Sequence, residues 1–412
     1  MEKQKCPELR FSEFKNYWNE IRLGDVVDNF SYGLNAQAVK YDGKHKYIRI
    51  TDIDDNSRSF LQDNLTSPDI DFEKADNYIL KKKDILFART GASVGKTYLY
   101  NETDGLVYFA GFLIRGKIKD DIDEAFIFAN TQTERFHKFI RLTSQRSGQP
   151  GINAKEYTSF EFYCSDFQEQ VKIGEFFKSL DESIVLHEKK LVQTQNLKKA
   201  MLEKMFPKQG SQRPEIRLKG FRGDWEERQL NDISFKVLEK NSEHLYAETF
   251  TNSAQFGVIS QRDFFDKDIS NTNNIGGYYV VKDNDFIYNP RISNFAPVGP
   301  VKRNKLGRTG VVSPLYFVFR THDVDQQFLE TYFETSVWHK FMLLNGDTGA
   351  RSDRLAIKDT IFMEMPIYCP SFEEQQKIGQ FFKQVDETIK LQQQQLQTLK
   401  NLKQAFLGKM FV

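Results

Sequence analysis

Along two stretches of this chain, apolar residues recur at alternating steps of four and three. In the first, Ile173, Phe177, Leu180, Ile184, His187, Leu191, Thr194, Lys198, Met201 and Met205 hold these positions. In the second they are Ile378, Phe382, Val385, Ile389, Gln392, Leu396, Leu399, Lys403, Phe406 and Met410. Seven of the ten are apolar in the first run and eight in the second, with Lys, Glu and Gln on the flanks and no proline inside. That spacing is a heptad seam with a few polar intrusions. It predicts two helices of roughly 38 residues, about 57 Å each at the standard rise. Neither helix can leave such a stripe in water. Each could lie on a globular domain of its own, or the two could pack on each other. The matched seams, far longer than the roughly 10–14 residues of an average globular helix, favour mutual packing.

The remaining segments predict a mixed fold. HKYIRITDI, DILFART, LVYFAGFLIRG, YYVVKDNDFIYNP and LYFVFRT are short, aromatic or β-branched, and bounded by Gly, Asp and Asn, as strands are. EAFIFANTQTERFHKFIR and DQQFLETYFETSVWHKFML carry helical spacing. The chain holds 37 Phe and 17 Tyr, and the reading for most of them in such elements is core rather than a platform for stacked bases.

The seams belong to a duplication. The stretch from Cys164 to Phe206 returns without a gap from Cys369 to Phe411, 205 positions later, and PELRFSEFKNYWNEIRLGDVV from Pro7 returns as PEIRLKGFRGDWEERQLNDIS from Pro214. Residues 28–163 and 235–368 share almost no identity. Matched frames around unlike interiors suggest a scaffold for two modules with different targets. The predicted order is a domain over 1–163, a long helix over 164–206, a linker over 207–213, a second domain over 214–368 and a second long helix over 369–412. Because the first helix leaves domain one and the second leaves domain two, mutual packing makes them antiparallel. An approximate two-fold axis then relates the halves, and the closing KMFV returns to the opening PELR.

Composition narrows the classes. At 412 residues there is room for two domains, and the net charge of +1 gives no global basic field. Mean hydropathy is −0.57, no run approaches the roughly 20 apolar residues of a membrane span, and MEKQKCPELR has no apolar signal core. Cys6, Cys164 and Cys369 lie far apart without CxxC spacing, so neither a disulfide framework nor a zinc site is expected. Cys164 and Cys369 occupy equivalent repeat positions, which suits packing ahead of each helix. The expected location is cytoplasmic.

Catalytic motifs do not assemble. DILFARTGASVGKTYLY places Gly91, Gly95, Lys96 and Thr97 after a strand, yet only three residues separate the glycines where a phosphate loop needs four. A strand, not a helix, is predicted next. YNPR (Tyr288 to Arg291) lacks the second proline and the aromatic of an adenine-methyltransferase loop. There is no HExxH, and the six histidines are scattered.

The doubled EQxKIGxFFKxxDExI run (Glu169 to Ile184, Glu374 to Ile389), the doubled NLKxAxLxKMF endings and the divergent interiors resemble a specificity subunit of a Type I restriction–modification system. RTGASVG with SGQPGIN in the first half, and YNPRISNFAPVGPV with GARSDRLAIKD in the second, fit that resemblance. It implies an α+β fold with two globular α/β target-recognition domains, separated by two long antiparallel coiled-coil helices and related by an internal pseudo-two-fold repeat. It also implies a non-catalytic chain that binds double-stranded DNA with a bipartite, asymmetric target, the helices setting the spacer. The partners implied are two modification subunits that methylate adenine and two restriction subunits that translocate and cut. S-adenosylmethionine, ATP and Mg²⁺ are expected on those partners and no cofactor on this chain. The rival readings are a two-domain adaptor that binds only proteins and an enzyme with an unrecognised active site.

Base reading favours Arg on guanine and Asn or Gln on adenine, while phosphates take Lys, Arg or small hydroxyls. The candidates in domain one are Arg89, Thr90, Ser93 and Lys96, then Arg146, Ser147, Gln149 and Asn153. In domain two they are Arg291, Ser293 and Asn294, then Lys302, Arg303, Lys305 and Arg308, then Arg351, Ser352 and Arg354.

Overall fold

A computed structural model describes residues 5–208, 210–264, 272–347 and 353–412. The fold is mixed, and the two seams form helices over Phe167–Lys204 and Phe372–Met410, of 38 and 39 residues. Every seam position is buried or half-buried and none is exposed. The chain divides into two compact units. One comprises Met1–Lys190 with Gln392–Val412, the other Leu191–Leu391, so each unit takes a part of both long helices.

Within the first unit the helices run antiparallel. Phe176 meets Phe406 edge-on at 5.0 Å, Asp181 meets Lys403 at 2.5 Å and Glu188 meets Lys400 at 2.7 Å. Within the second unit Lys198 reaches Asp386 at 2.6 Å and Phe206 packs on Phe382 at 6.2 Å, again in opposed directions. The other packing considered for the seams holds at their ends. Ile173 and Phe177 belong to the core of the first domain, Ile378 and Phe382 to that of the second.

The two lysines in the seams are latches. Lys403 is 6% exposed and binds Asp181 together with Gln132 of the first interior, both at 2.5 Å. Lys198, at the equivalent repeat position, binds Asp386 together with Glu334 of the second interior at 2.7 Å. A buried ammonium without such acceptors would lose its hydration uncompensated.

The repeated frames do the same work twice. Arg10 donates two hydrogen bonds to buried Glu169, at 2.6 and 2.7 Å, and Arg217 donates two to buried Glu374, both at 2.7 Å. Gln170 accepts the Asp123 N–H and Gln375 the Asp325 N–H, and both aspartates cap the next helix of their interior. Gly174 and Gly379 allow that cap to press on the long helix. A Cβ there would lie 2.2 and 2.9 Å from the two carboxylates. The Leu9 N–H binds the Lys409 carbonyl, as the Ile216 N–H binds that of Lys204, both at 2.9 Å. In the first unit Phe411 packs among Trp18, Phe126 and Phe177. In the second Phe206 packs among Trp225, Phe328 and Phe382. The phenylalanine just past the end of one long helix thus completes the core beside the start of the other.

The interiors, unlike in sequence, share a topology. Each has a four-stranded antiparallel sheet. In chain segments the orders are Val27–Tyr32, Leu113–Ile118, Asp84–Ala88, Thr97–Leu99, and Ser234–Lys236, Phe317–Thr321, Phe286–Tyr288, Val301–Arg303. Asn19–Arg22 pairs with Glu161–Cys164, and Glu226–Gln229 with Pro366–Cys369, directly ahead of each long helix. Each predicted interior helix breaks in two. In the first domain Thr133 caps a new helix at Glu134, so Glu124–Asn130 and Glu134–Thr143 are separate. Cys164 and Cys369 are buried free thiols and Cys6 is exposed. Among the described residues no helix is long and apolar enough to cross a membrane.

Candidate nucleic-acid interface

The central strand Asp84–Ala88 is wholly buried and delivers Arg89 and Thr90 to its end. There the chain meets a segment some sixty residues further on. The Ile152 N–H binds the Arg89 carbonyl at 2.9 Å, the Gly91 N–H binds that of Pro150 at 3.0 Å, and Thr90 bridges Gly151. Gly91 sits at φ 75° with the Gln149 amide where a Cβ would stand, 2.9 Å away, so only glycine fits this crossing. The Arg89 guanidinium lies 5.0 Å from the Tyr32 ring. Asn153 caps the short helix Ala154–Thr158, and Tyr157 donates to the Ala88 carbonyl at 2.7 Å, locking helix to strand end.

Domain two builds the same crossing from other residues. Strand Phe286–Tyr288 delivers Arg291. The Ile292 N–H then binds the Asp353 carbonyl at 2.8 Å, the Leu355 N–H binds that of Pro290 at 2.9 Å, and Arg291 bridges Arg354. Ser293 and Ala296 exchange two backbone hydrogen bonds at 3.0 Å, holding Asn294 and Phe295 at the tip of a closed turn. Arg291, Ser293 and Asn294 are exposed and Arg354 half-buried. Arg351 and Ser352 lie outside the described residues.

In the first domain the crossing borders a cleft of ≈ 810 Å³ that Tyr32, Asn35, Arg49, Thr51, Arg89, Ser93, Phe112 and Gln149 line. The sequence reading missed Tyr32, Asn35, Arg49, Thr51 and Phe112. The YGLN that follows strand Val27–Tyr32 was the available signal, a small-residue turn carrying an amide. In the second domain a smaller hollow of ≈ 220 Å³ has Tyr279, Pro290, Leu315 and Leu355 in its wall.

Several cations expected at the interface are held elsewhere. Lys96 is 7% exposed, and its ammonium binds the Ile53 carbonyl at 3.0 Å and the Asp55 carboxylate, pinning its loop from within. Arg303 lies against Glu330, Gln327 and Asn284. It pairs with Phe286, so it stands at the end of its hairpin opposite to Arg291. Lys302 is half-buried on the same strand, Lys305 binds Glu330 at 2.6 Å, and Arg308 makes two bonds of 2.7 Å to Glu248. The structure therefore engages Arg303, Lys305 and Arg308 with carboxylates away from the crossing. Arg146 contacts both oxygens of Glu156 and two carbonyls while staying exposed, and Ser147 is exposed on the same loop. Among the described residues no group of three or more His, Cys, Asp or Glu could hold a metal ion.

The Type I restriction modification DNA specificity domain matches this chain twice, over residues 15–196 and 222–401, and the chain belongs to that family. It is a DNA-recognition specificity subunit of a restriction–modification complex. The Type I restriction enzyme MjaVIII specificity subunit of Methanocaldococcus jannaschii is 21% identical over 419 residues, covering 95% of this chain and 91% of that one. The crystal structure of the Type I S subunit from M. genitalium superimposes with a TM-score of 0.62 at 14% identity, over 99% of both chains. A chain from a structure of Type I R-M complex assembly and conformational transition gives a TM-score of 0.51 at 16% identity, over 95% and 97%. At these identities the two structures support the fold.

Proposed function

We propose that each domain reads one half of a bipartite, asymmetric duplex target through its crossed loops. Domain one would use Arg89, Thr90, Ser93 and Gln149, with Arg146, Ser147 and Asn153 on the adjoining segment. Domain two would use Arg291, Ser293, Asn294 and Arg354, with Arg351 and Ser352 next in sequence. The observation that carries this reading is the crossing itself. One backbone construction occurs in both domains at the end of the same central strand, and it carries different polar side chains in each. A common frame with exchangeable donors is what two unlike half-sites require.

The chain contributes no chemistry of its own. Two modification subunits carrying S-adenosylmethionine, and two restriction subunits using ATP and Mg²⁺, supply it in the cytoplasm, and the paired long helices set the unread spacer. With a near-neutral total charge, the modification subunits provide much of the phosphate affinity. Methylome sequencing of a host with and without this chain tests the proposal. The expected result is one asymmetric bipartite adenine-methylated motif that vanishes with the chain. A motif that survives its loss, or methyl transfer to DNA by the isolated chain, refutes it.

A further inference from the structure

Two interiors with almost no shared sequence place one large apolar side chain in water at the same turn. In domain one Phe112 stands between strands Val107–Phe109 and Leu113–Ile118 and is 61% exposed. Its carbonyl accepts the Arg89 N–H at 3.0 Å, which ties the turn to the crossing. Its neighbours around the cleft include Arg89 and Gln149. In domain two Leu315 stands between Gly310–Val312 and Phe317–Thr321, is 60% exposed, and shares a hollow with Pro290 and Leu355 of the second crossing. Leu113–Ile118 and Phe317–Thr321 hold the same place in their sheets.

A single exposed apolar residue is ordinary. Recurrence at one structural position, against the loops that carry the arginines and amides, is the informative part. Phosphates and the polar base edges offer such a side chain nothing, and the apolar group that the major groove displays is the thymine C5-methyl. Resting on the DNA-reading role proposed above, we propose that Phe112 and Leu315 are specificity-determining residues, each packing on a thymine methyl in its own half-site.

The test uses the full chain with its modification subunits and a randomised duplex pool. Wild type should select thymine at one position of the half-site read by domain one. Phe112→Ala should relax that position alone, Phe112→Leu should keep the preference, and Leu315→Ala should relax one position of the other half-site. Replacing that thymine by deoxyuridine removes only the methyl. It should weaken wild type about three- to fivefold, the worth of one buried methylene-sized group, and leave Phe112→Ala unaffected. Unchanged selection by both alanine variants overturns the inference, as does equal loss on every sequence or a wild type indifferent to deoxyuridine. A wild-type complex that selects no sequence overturns instead the DNA-reading role on which it rests.

Discussion

Lys403→Met tests whether the seam lysines hold the helices to their domains. Methionine keeps the length and the apolar stem of lysine. It leaves Asp181, whose side chain is 20% exposed, and Gln132 without their shared cation. Breaking a buried pair from one side costs about 3–5 kcal/mol. Asp181 can escape by taking a proton, which for a carboxyl of ordinary pKa, about 4, costs roughly 4 kcal/mol at pH 7 and about 1.4 less for each pH unit below. Burial already raises its pKa in the folded wild type, with Lys403 opposing the shift. A carboxyl whose folded pKa is raised contributes stability below its unfolded pKa and loses it as pH rises, and removing Lys403 widens that window. The deficit of the variant should therefore be about 3–4 kcal/mol at pH 7 and shrink to about 1–2 near pH 5. With urea slopes of about 2–3 kcal/mol/M, the pH 7 midpoint should fall by roughly 1–2 M. Hydrogen exchange of peptides from 174–190 and 396–410, measured along a urea titration, reads it locally. Lys403→Met combined with Asp181→Leu should recover most of the loss. A single-variant loss under about 1 kcal/mol, a loss that ignores pH, or a double variant equal to the sum of the singles refutes the reasoning.

Gly174→Ala should destabilise the first unit by about 1–3 kcal/mol and Gly379→Ala the second by less, because a Cβ meets the capping carboxylates at 2.2 and 2.9 Å respectively; thermal melts that leave both variants unchanged contradict the close approach. Burial pushes the Cys164 and Cys369 thiols up to about 12, so a thiol reagent at pH 8 should titrate one cysteine, Cys6, in the native protein and three after denaturation. Deleting Leu186–Val192 together with Leu391–Gln397 keeps the seam phase and shortens each helix by about 10 Å. The methylated motif should keep both half-sites and lose about three base pairs of spacer; an unchanged spacer removes the helices from that role.

The sequence by itself determined the frame. Its seams depend on a fixed spacing between residues of one helix, and 3.6 residues per turn converts that spacing into a buried stripe without reference to the rest of the chain. The duplication made the opposed helix directions follow from connectivity, and Leu9 with Lys409 and Ile216 with Lys204 close the halves as expected. The fragments RTGASVG and SGQPGIN were visible as polar, glycine-bearing loops. That they cross each other was not, because the contact joins backbone groups far apart in sequence and backbone groups carry no sequence signature. Tertiary structure alone decided which cations are available. Lys96, Arg303 and Arg308 read as interface residues from type and neighbourhood, yet Asp55, Glu330 and Glu248 neutralise them from elsewhere in the fold. The same is true of the lysines in the seams. They look like flaws in an apolar repeat until Gln132 and Glu334, which no periodicity connects to them, arrive by folding as their acceptors.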